Sequence, residues 1–200
     1  MFINIKKVLK RGICVLLVVT AVCLGAKYGR IRHLQAQKIK CDYDIAQFKS
    51  KGYTVSDARI ARFNDESIIE AYDHDAIVTF YGDKGELKFE TLKQIKEVLG
   101  NDVDKFNSKG YTVAEAKVVQ FSDEEVFLGY DRNAIVEAYG DDGILNAETL
   151  CEIKTALGEY CKEYDMSEIN IVRLFHSKGY TEEEARVAGF SNEEISRIYG

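Results

Sequence analysis

The sequence predicts an all-α protein of tandem short helices, two full copies and a truncated third, behind one amino-terminal membrane helix. Three observations lead there: an apolar stretch bracketed by Lys and Arg, a short motif that occurs three times, and a helix-capping residue after nearly every repeated aromatic.

The amino-terminal element comes first. Ile13 to Ala26 is almost continuously apolar, with Lys10 and Arg11 before it and Lys27 after it. Counted from Val8 to Lys27, with the flanking cations snorkelling, the stretch approaches the length that a bilayer-spanning helix requires. An uncleaved signal anchor and a cleaved signal peptide both fit this pattern, since Cys23/Gly25 and Leu24/Ala26 are indifferent cleavage sites. The anchor is the working expectation, giving a single-pass protein whose body lies outside the cytoplasm; cleavage would make it secreted.

Charge divides along the chain. Residues 1–40 carry nine Lys/Arg and no acid, leaving 18 basic against 33 acidic groups in the remainder, a net of −15. An acidic body argues against a nucleic-acid partner, because phosphate-backbone affinity comes from Lys and Arg releasing counterions. The five cysteines are too sparse for a disulfide framework. Cys151 and Cys161 would pair only if the chain turned back between them, and burial as small hydrophobes is the expected fate of both.

The body is organised by repeats. Phe48-Lys-Ser-Lys51-Gly52-Tyr53-Thr54 is matched by Phe106-Asn-Ser-Lys109-Gly110-Tyr111-Thr112 and by Phe175-His-Ser-Lys178-Gly179-Tyr180-Thr181. Aromatics follow at steps of ten, nine and nine: Tyr53, Phe63, Tyr72, Tyr81, then Tyr111, Phe121, Tyr130, Tyr139; the third copy has Tyr180, Phe190 and Tyr199. After them stand Thr54, Asn64, Asp73, Thr112, Ser122, Asp131, Thr181 and Ser191, residues whose side chains cap helix N-termini. Asp57, Glu115, Glu125, Glu184 and Glu194, three positions beyond a cap, complete capping-box patterns. The local element is therefore a helix of six or seven residues, a tight break, and another helix. Gly52, Gly110 and Gly179 are expected to end their helices in a left-handed conformation.

Helices this short do not persist alone, so packing must hold them. In the first copy Phe48, Tyr53, Ala58, Ile60, Phe63, Ile68, Ile69, Tyr72, Ile77 and Val78 are assigned to that core. A second cassette follows in the first two copies. Gly85 and Gly143 lie in turns that lead to Leu92, Ile95, Leu99 and to Leu150, Ile153, Leu157, each set spaced as one buried helix face. The resulting organisation is residues 1–40 for the anchor and a basic juxtamembrane segment, 41–105 for repeat one, 106–174 for repeat two with an insertion, and 175–200 for the truncated repeat three.

No residue is singled out as catalytic, cofactor-binding or metal-binding, and the binding residues are not identified. Aligning Gly143 or Gly85 with the glycine of a calcium loop puts Ala138 and Gly140, or Phe80 and Gly82, where carboxylates should be, so both are read as plain turns. His33, His74 and His176 lie in separate contexts, and Asp73-His74-Asp75 is read as a capped, solvated turn. The expected function is that of a non-catalytic protein-interaction or scaffold module with a protein partner, without cofactors.

The second cassette also resembles the later half of a peptidoglycan-binding module. Asp142-Gly143-Ile144-Leu145, Thr149, Leu150 and Ile153 carry the resemblance, as do Gly85, Leu87, Thr91, Leu92 and Ile95, with Lys84 in place of the Asp. It departs at Asn146-Ala147, where that family has Gly-Pro. The resemblance implies, as the alternative reading, a cell-envelope protein that binds peptidoglycan.

Overall fold

The computed structural model describes residues 5–200, with side chains at Thr20 and from Val22 onward. Among the described residues the protein is all helical, and extended backbone pairs only in the isolated bridges Asp83–Glu86 and Asp141–Ile144. Two compact units are present, Met1–Tyr72 and Asp73–Gly200. The first holds α1 (Ile5–Lys40), α2 (Ile45–Ser50), α3 (Val55–Ile60) and α4 (Asp65–Ala71). The second holds α5 (His74–Tyr81), α6 (Phe89–Val98), α7 (Val103–Ser108), α8 (Val113–Val118), α9 (Asp123–Gly129) and α10 (Arg132–Tyr139). It continues with α11 (Ala147–Glu163), α12 (Ile169–Ser177), α13 (Glu182–Val187) and α14 (Asn192–Tyr199).

The expected anchor over 8–27 falls largely outside the residues whose side chains are described. Among the described residues no helix is long and apolar enough to cross a membrane.

Capping starts the short helices. The side chains of Thr54, Asn64, Asp73, Thr112, Ser122, Asp131, Thr181 and Ser191 each accept a backbone N–H of the first turn. Reciprocal capping boxes form at Thr54/Asp57, Thr112/Glu115, Ser122/Glu125, Thr181/Glu184 and Ser191/Glu194. Each such cap is worth about 1 kcal/mol, a large contribution for helices of barely two turns.

The breaks have a mechanism of their own. Gly52, Gly110 and Gly179 adopt φ of +83, +89 and +92°, as a left-handed C-cap requires. A second set of left-handed residues ends α3, α8 and α13: Arg62, Gln120 and Gly189, with φ of +64, +62 and +79°. The N–H of the following Phe63, Phe121 and Phe190 then bonds back to the carbonyls of Ala58, Ala116 and Ala185 at 3.0–3.1 Å. A left-handed residue, an aromatic and a capping residue thus make a three-residue joint that stops one helix and starts the next.

The rings supply the packing. Phe48 stacks on Tyr53 with centroids 4.3 Å apart, Phe106 on Tyr111 at 4.5 Å and Phe175 on Tyr180 at 4.3 Å. The same three phenylalanines meet Phe63, Phe121 and Phe190 at 5.1–5.3 Å. Phe48, Ala58, Phe63, Ile68, Ile69, Tyr72 and Ile77 are buried as expected, whereas Tyr53, Ile60 and Val78 stay half-exposed. The last turns of α1, expected to be basic juxtamembrane chain, pack on α2 and α3 and bury Leu34, and Cys41 is buried in the turn that follows.

One further expectation is corrected. Cys151 is exposed while Cys161 is buried, and both are free. They lie on one continuous helix, which places Cys151 on its outer face. Helical rise separates the two by about 15 Å along the axis. That is far beyond disulfide reach.

Candidate functional site

Most polar side chains with reach are consumed in holding the frame. Lys38, Lys96 and Lys154 each lie over a phenylalanine ring, Phe63, Phe121 and Phe190, at 4.3, 4.0 and 4.4 Å from its centroid. Each ammonium also donates to carbonyls at the end of the facing helix: Arg62 for Lys38, Val119 and Gln120 for Lys96, Gly189 for Lys154. This combines a cation–π contact with neutralisation of a helix C-terminus. The Tyr72, Tyr130 and Tyr199 hydroxyls donate to the backbone carbonyls of Tyr53, Tyr111 and Tyr180 at 2.7, 2.9 and 2.9 Å. Burial, with the Asp57 carboxylate beside it, pushes the Tyr72 phenol up to about 12.

Acids and bases between the short helices are matched in the same manner. Arg59 pairs with Asp65, Lys117 with Asp123, and Arg186 donates to Asn192. Tyr139 also donates to Asp123, so the Lys117 and Tyr139 hydrogen bonds together hold that carboxyl below its ordinary range. The Lys178 ammonium reaches the carbonyls of Leu128 and Tyr130, and burial pulls its pKa down.

Asp73-His74-Asp75 is more than a solvated turn. His74 Nε2 lies 3.0 Å from Glu115 Oε1, its ring meets Tyr111 edge-on, and its backbone N–H donates to the Lys109 carbonyl at 2.8 Å. Arg132 shows the same arrangement: its N–H donates to the Lys178 carbonyl, and its guanidinium grips both Glu184 oxygens at 2.7–2.8 Å. Burial pushes the Glu184 carboxyl up, but hydrogen bonds from Arg132 and Thr181 outweigh it and hold it below its ordinary value. Glu115 and Glu184 therefore cap their own helices and receive a base from an earlier one. His33 is exposed on α1 and His176 lies edge-on to Tyr199, so the three histidines do not converge. Among the described residues no group of three His, Cys, Asp or Glu is placed to hold a metal ion.

The second unit also carries an acidic cleft. α9 packs on α11, and between their outer faces an open cleft of about 500 Å³ is lined by Asp123, Glu124, Glu148, Glu152 and Glu159 around Phe127 and the exposed Cys151. Asp123 is engaged by Lys117 and Tyr139, and Glu159 lies 3.9 Å from Lys162. Glu124, Glu148 and Glu152 are exposed, and their side chains form no ion pair or hydrogen bond among the described residues. Three free carboxylates in one cleft make a surface for cationic groups.

The sequence does not single out these residues, because its paired acids read as first-turn helix charges. A usable signal exists: Glu148, Glu152, Thr155 and Glu159 recur at spacings of four, three and four, one face of α11. The Gly85 and Gly143 turns behave as plain hairpin turns, with left-handed Lys84–Gly85 and Asp142–Gly143 closed by the Asp83–Glu86 and Asp141–Ile144 bridges. Thr149, Leu150 and Ile153, which carry the peptidoglycan-module resemblance, are buried against the protein's own core. Comparison of the chain with protein-family models, with curated proteins and with solved structures finds no match.

Proposed function

We propose that this is a membrane-anchored tandem-helical scaffold that binds a protein partner through the acidic cleft between α9 and α11, without catalysis. The partner segment is basic, presenting Lys or Arg side chains whose stems cross Cys151 and Thr155 while their heads meet Glu124, Glu148 and Glu152. The supporting observation is their clustering: Glu124, Glu148 and Glu152 stand exposed, with side chains that make no ion pair, in one concave surface that also holds Asp123 and Glu159. Charged rims of this kind steer association and set specificity more than they set affinity.

On this reading the repeat begins inside α1, at the helix that carries Lys38. Lys38, Lys96 and Lys154 are evenly spaced along the chain and make the same two contacts, so the last turns of α1 stand where α6 and α11 stand in later copies. The stretch 8–27 is the anchor, and the body lies outside the cytoplasm.

A photo-reactive amino acid at position 151, in full-length protein in its native membrane, tests the interaction. We expect a discrete cross-linked protein species that is lost in the Glu124→Lys/Glu148→Lys/Glu152→Lys variant and weakened by added salt. A cross-link indifferent to both changes, or none at all, overturns the reading. Retention of the purified protein on insoluble peptidoglycan would favour a cell-wall ligand instead.

A further inference from the structure

Charge is segregated along the chain, with the net positive charge gathered around the apolar stretch. Residues 1–62 contain 13 basic and 3 acidic groups, a net of +10, whereas residues 63–200 contain 14 basic and 30 acidic groups, a net of −16. Nine of those basic groups and none of the acids lie in residues 1–40, so residues 41–62 add four basic and three acidic groups, a net of +1. In the first unit, Lys27, Arg30 and Ile31 of α1 and Arg59, Ile60 and Arg62 at the end of α3 frame a cleft of about 560 Å³.

Two of its cations are committed and two are free. Arg30 bonds Asp57 at 2.7 Å and Arg59 pairs with Asp65, which fixes their guanidinium groups and leaves them partly neutralised. Lys27 and Arg62 are exposed and have no ion pair or hydrogen bond from their side chains among the described residues. Arg62 stands at a left-handed corner, φ +64°, whose carbonyl is held by Lys38. That corner turns its backbone out of the helix toward α1. Half-buried Ile31 and Ile60 give the cleft an apolar wall.

We propose that this cleft binds the headgroup of an anionic phospholipid. Its phosphate would sit between Lys27 and Arg62, and its glycerol and upper acyl carbons against Ile31 and Ile60. This rests on the anchor reading: Lys27 directly follows the apolar stretch ending at Ala26, so insertion of that stretch brings the cleft to headgroup depth. The acidic remainder of the chain is repelled by an anionic surface, so a basic cleft in the first unit would also set which face of that unit meets the membrane.

Native mass spectrometry of the full-length chain in a neutral detergent tests it, with phosphatidylglycerol and phosphatidylcholine as probes. We expect retained phosphatidylglycerol in clear preference to phosphatidylcholine. Each basic group at such a surface contributes about fivefold in affinity, so Lys27→Gln/Arg62→Gln should bind phosphatidylglycerol about 25-fold more weakly. Arg62→Lys should keep the preference. Equal retention of both lipids, or unchanged binding by the double variant with helicity preserved, overturns the proposal. Displacement by millimolar inorganic phosphate would show a free-anion site and overturn it as well. The anchor is tested separately by alkaline carbonate extraction of membranes, in which wild type and double variant should both stay in the pellet.

Discussion

Two tyrosines in the second unit stand close together and should respond oppositely to the same substitution. The Tyr130 hydroxyl is buried and donates to the carbonyls of Tyr111 and Thr112 at 2.9 and 3.3 Å. The Tyr111 hydroxyl is also buried but has no hydrogen-bond partner. Phenylalanine keeps the ring and its packing in both cases, so no cavity forms and the change isolates the hydroxyl. At position 130 it removes a hydrogen bond and leaves the buried Tyr111 carbonyl without that donor, a loss of about 1–3 kcal/mol. At position 111 it removes a desolvated group that gains nothing in the fold, so stability should hold or rise by up to about 1 kcal/mol. Equilibrium urea denaturation followed by circular dichroism measures both, provided the slope with denaturant is unchanged. Tyr130→Phe should prove less stable than Tyr111→Phe by at least about 1 kcal/mol. Equal losses, or a neutral Tyr130→Phe, would refute the hydroxyl argument.

Three other perturbations probe the frame. Arg132→Gln removes the clasp on Glu184, whose carboxyl is held below its ordinary value of 4.5. A depressed acid contributes stability that is complete above its unfolded pKa and lost as pH falls through the folded one. The variant should therefore be about 2 kcal/mol less stable at neutral pH, as for a hydrogen bond to a charged group. In denaturant titrations that gap should narrow below pH 4.5. Gly129→Ala would gain helix propensity, but the new methyl would meet Val103 side-chain carbons at 2.6 and 2.9 Å. We expect a net loss of about 1–2 kcal/mol from this overpacking, recovered in part by Val103→Ala. Gln120→Gly places glycine where Gly189 stands in the third copy. It should raise the thermal midpoint, since a left-handed glutamine costs about 1 kcal/mol relative to glycine.

What could be read from the sequence was what local chemistry encodes. Thr, Ser, Asn or Asp after an aromatic caps a helix because its side-chain oxygen reaches the N–H groups two or three residues on, a requirement met within one turn. Gly52, Gly110 and Gly179 were legible because glycine marks a left-handed joint. The second set of joints was not, because Arg62 and Gln120 carry no such mark and only Gly189 betrays the position. The last turns of α1 were not legible as a packed element because Gln37 and Cys41 stand where Ile95 and Leu99, and Ile153 and Leu157, stand in the later cassettes. The buried face survives in Leu34 and Cys41, but polar Gln37 interrupts its spacing. The role of His74 was hidden for another reason: its partner Glu115 lies 41 residues away, and no local pattern specifies such a pair.

The same division bears on where function resides. Positions that the copies share are those the frame needs: the stacked Phe–Tyr pair, the capping residue, the tyrosine that bonds back, and the lysine over the second Phe. Because packing fixes them, they carry little information about a partner. The acidic cleft joins acids that copies one and two share, Asp123, Glu124 and Glu148 at the positions of Asp65, Glu66 and Glu90, to positions at which they differ. Cys151 and Glu152 replace Lys93 and Gln94, Phe127 replaces Ile69, and Thr155 replaces Glu97. Removing Lys93 takes a cation away from the middle of the helix face, and Glu152 adds an anion one residue later. The substitutions at 93/151 and 94/152 together make that stretch two charges more negative without touching any cap, ring or joint. A helical frame that tolerates such changes on exposed helix faces can hold differently charged surfaces on similar short helices. The copy-specific Cys151 and Glu152 of α11, rather than the repeated aromatics, therefore set how acidic this cleft is.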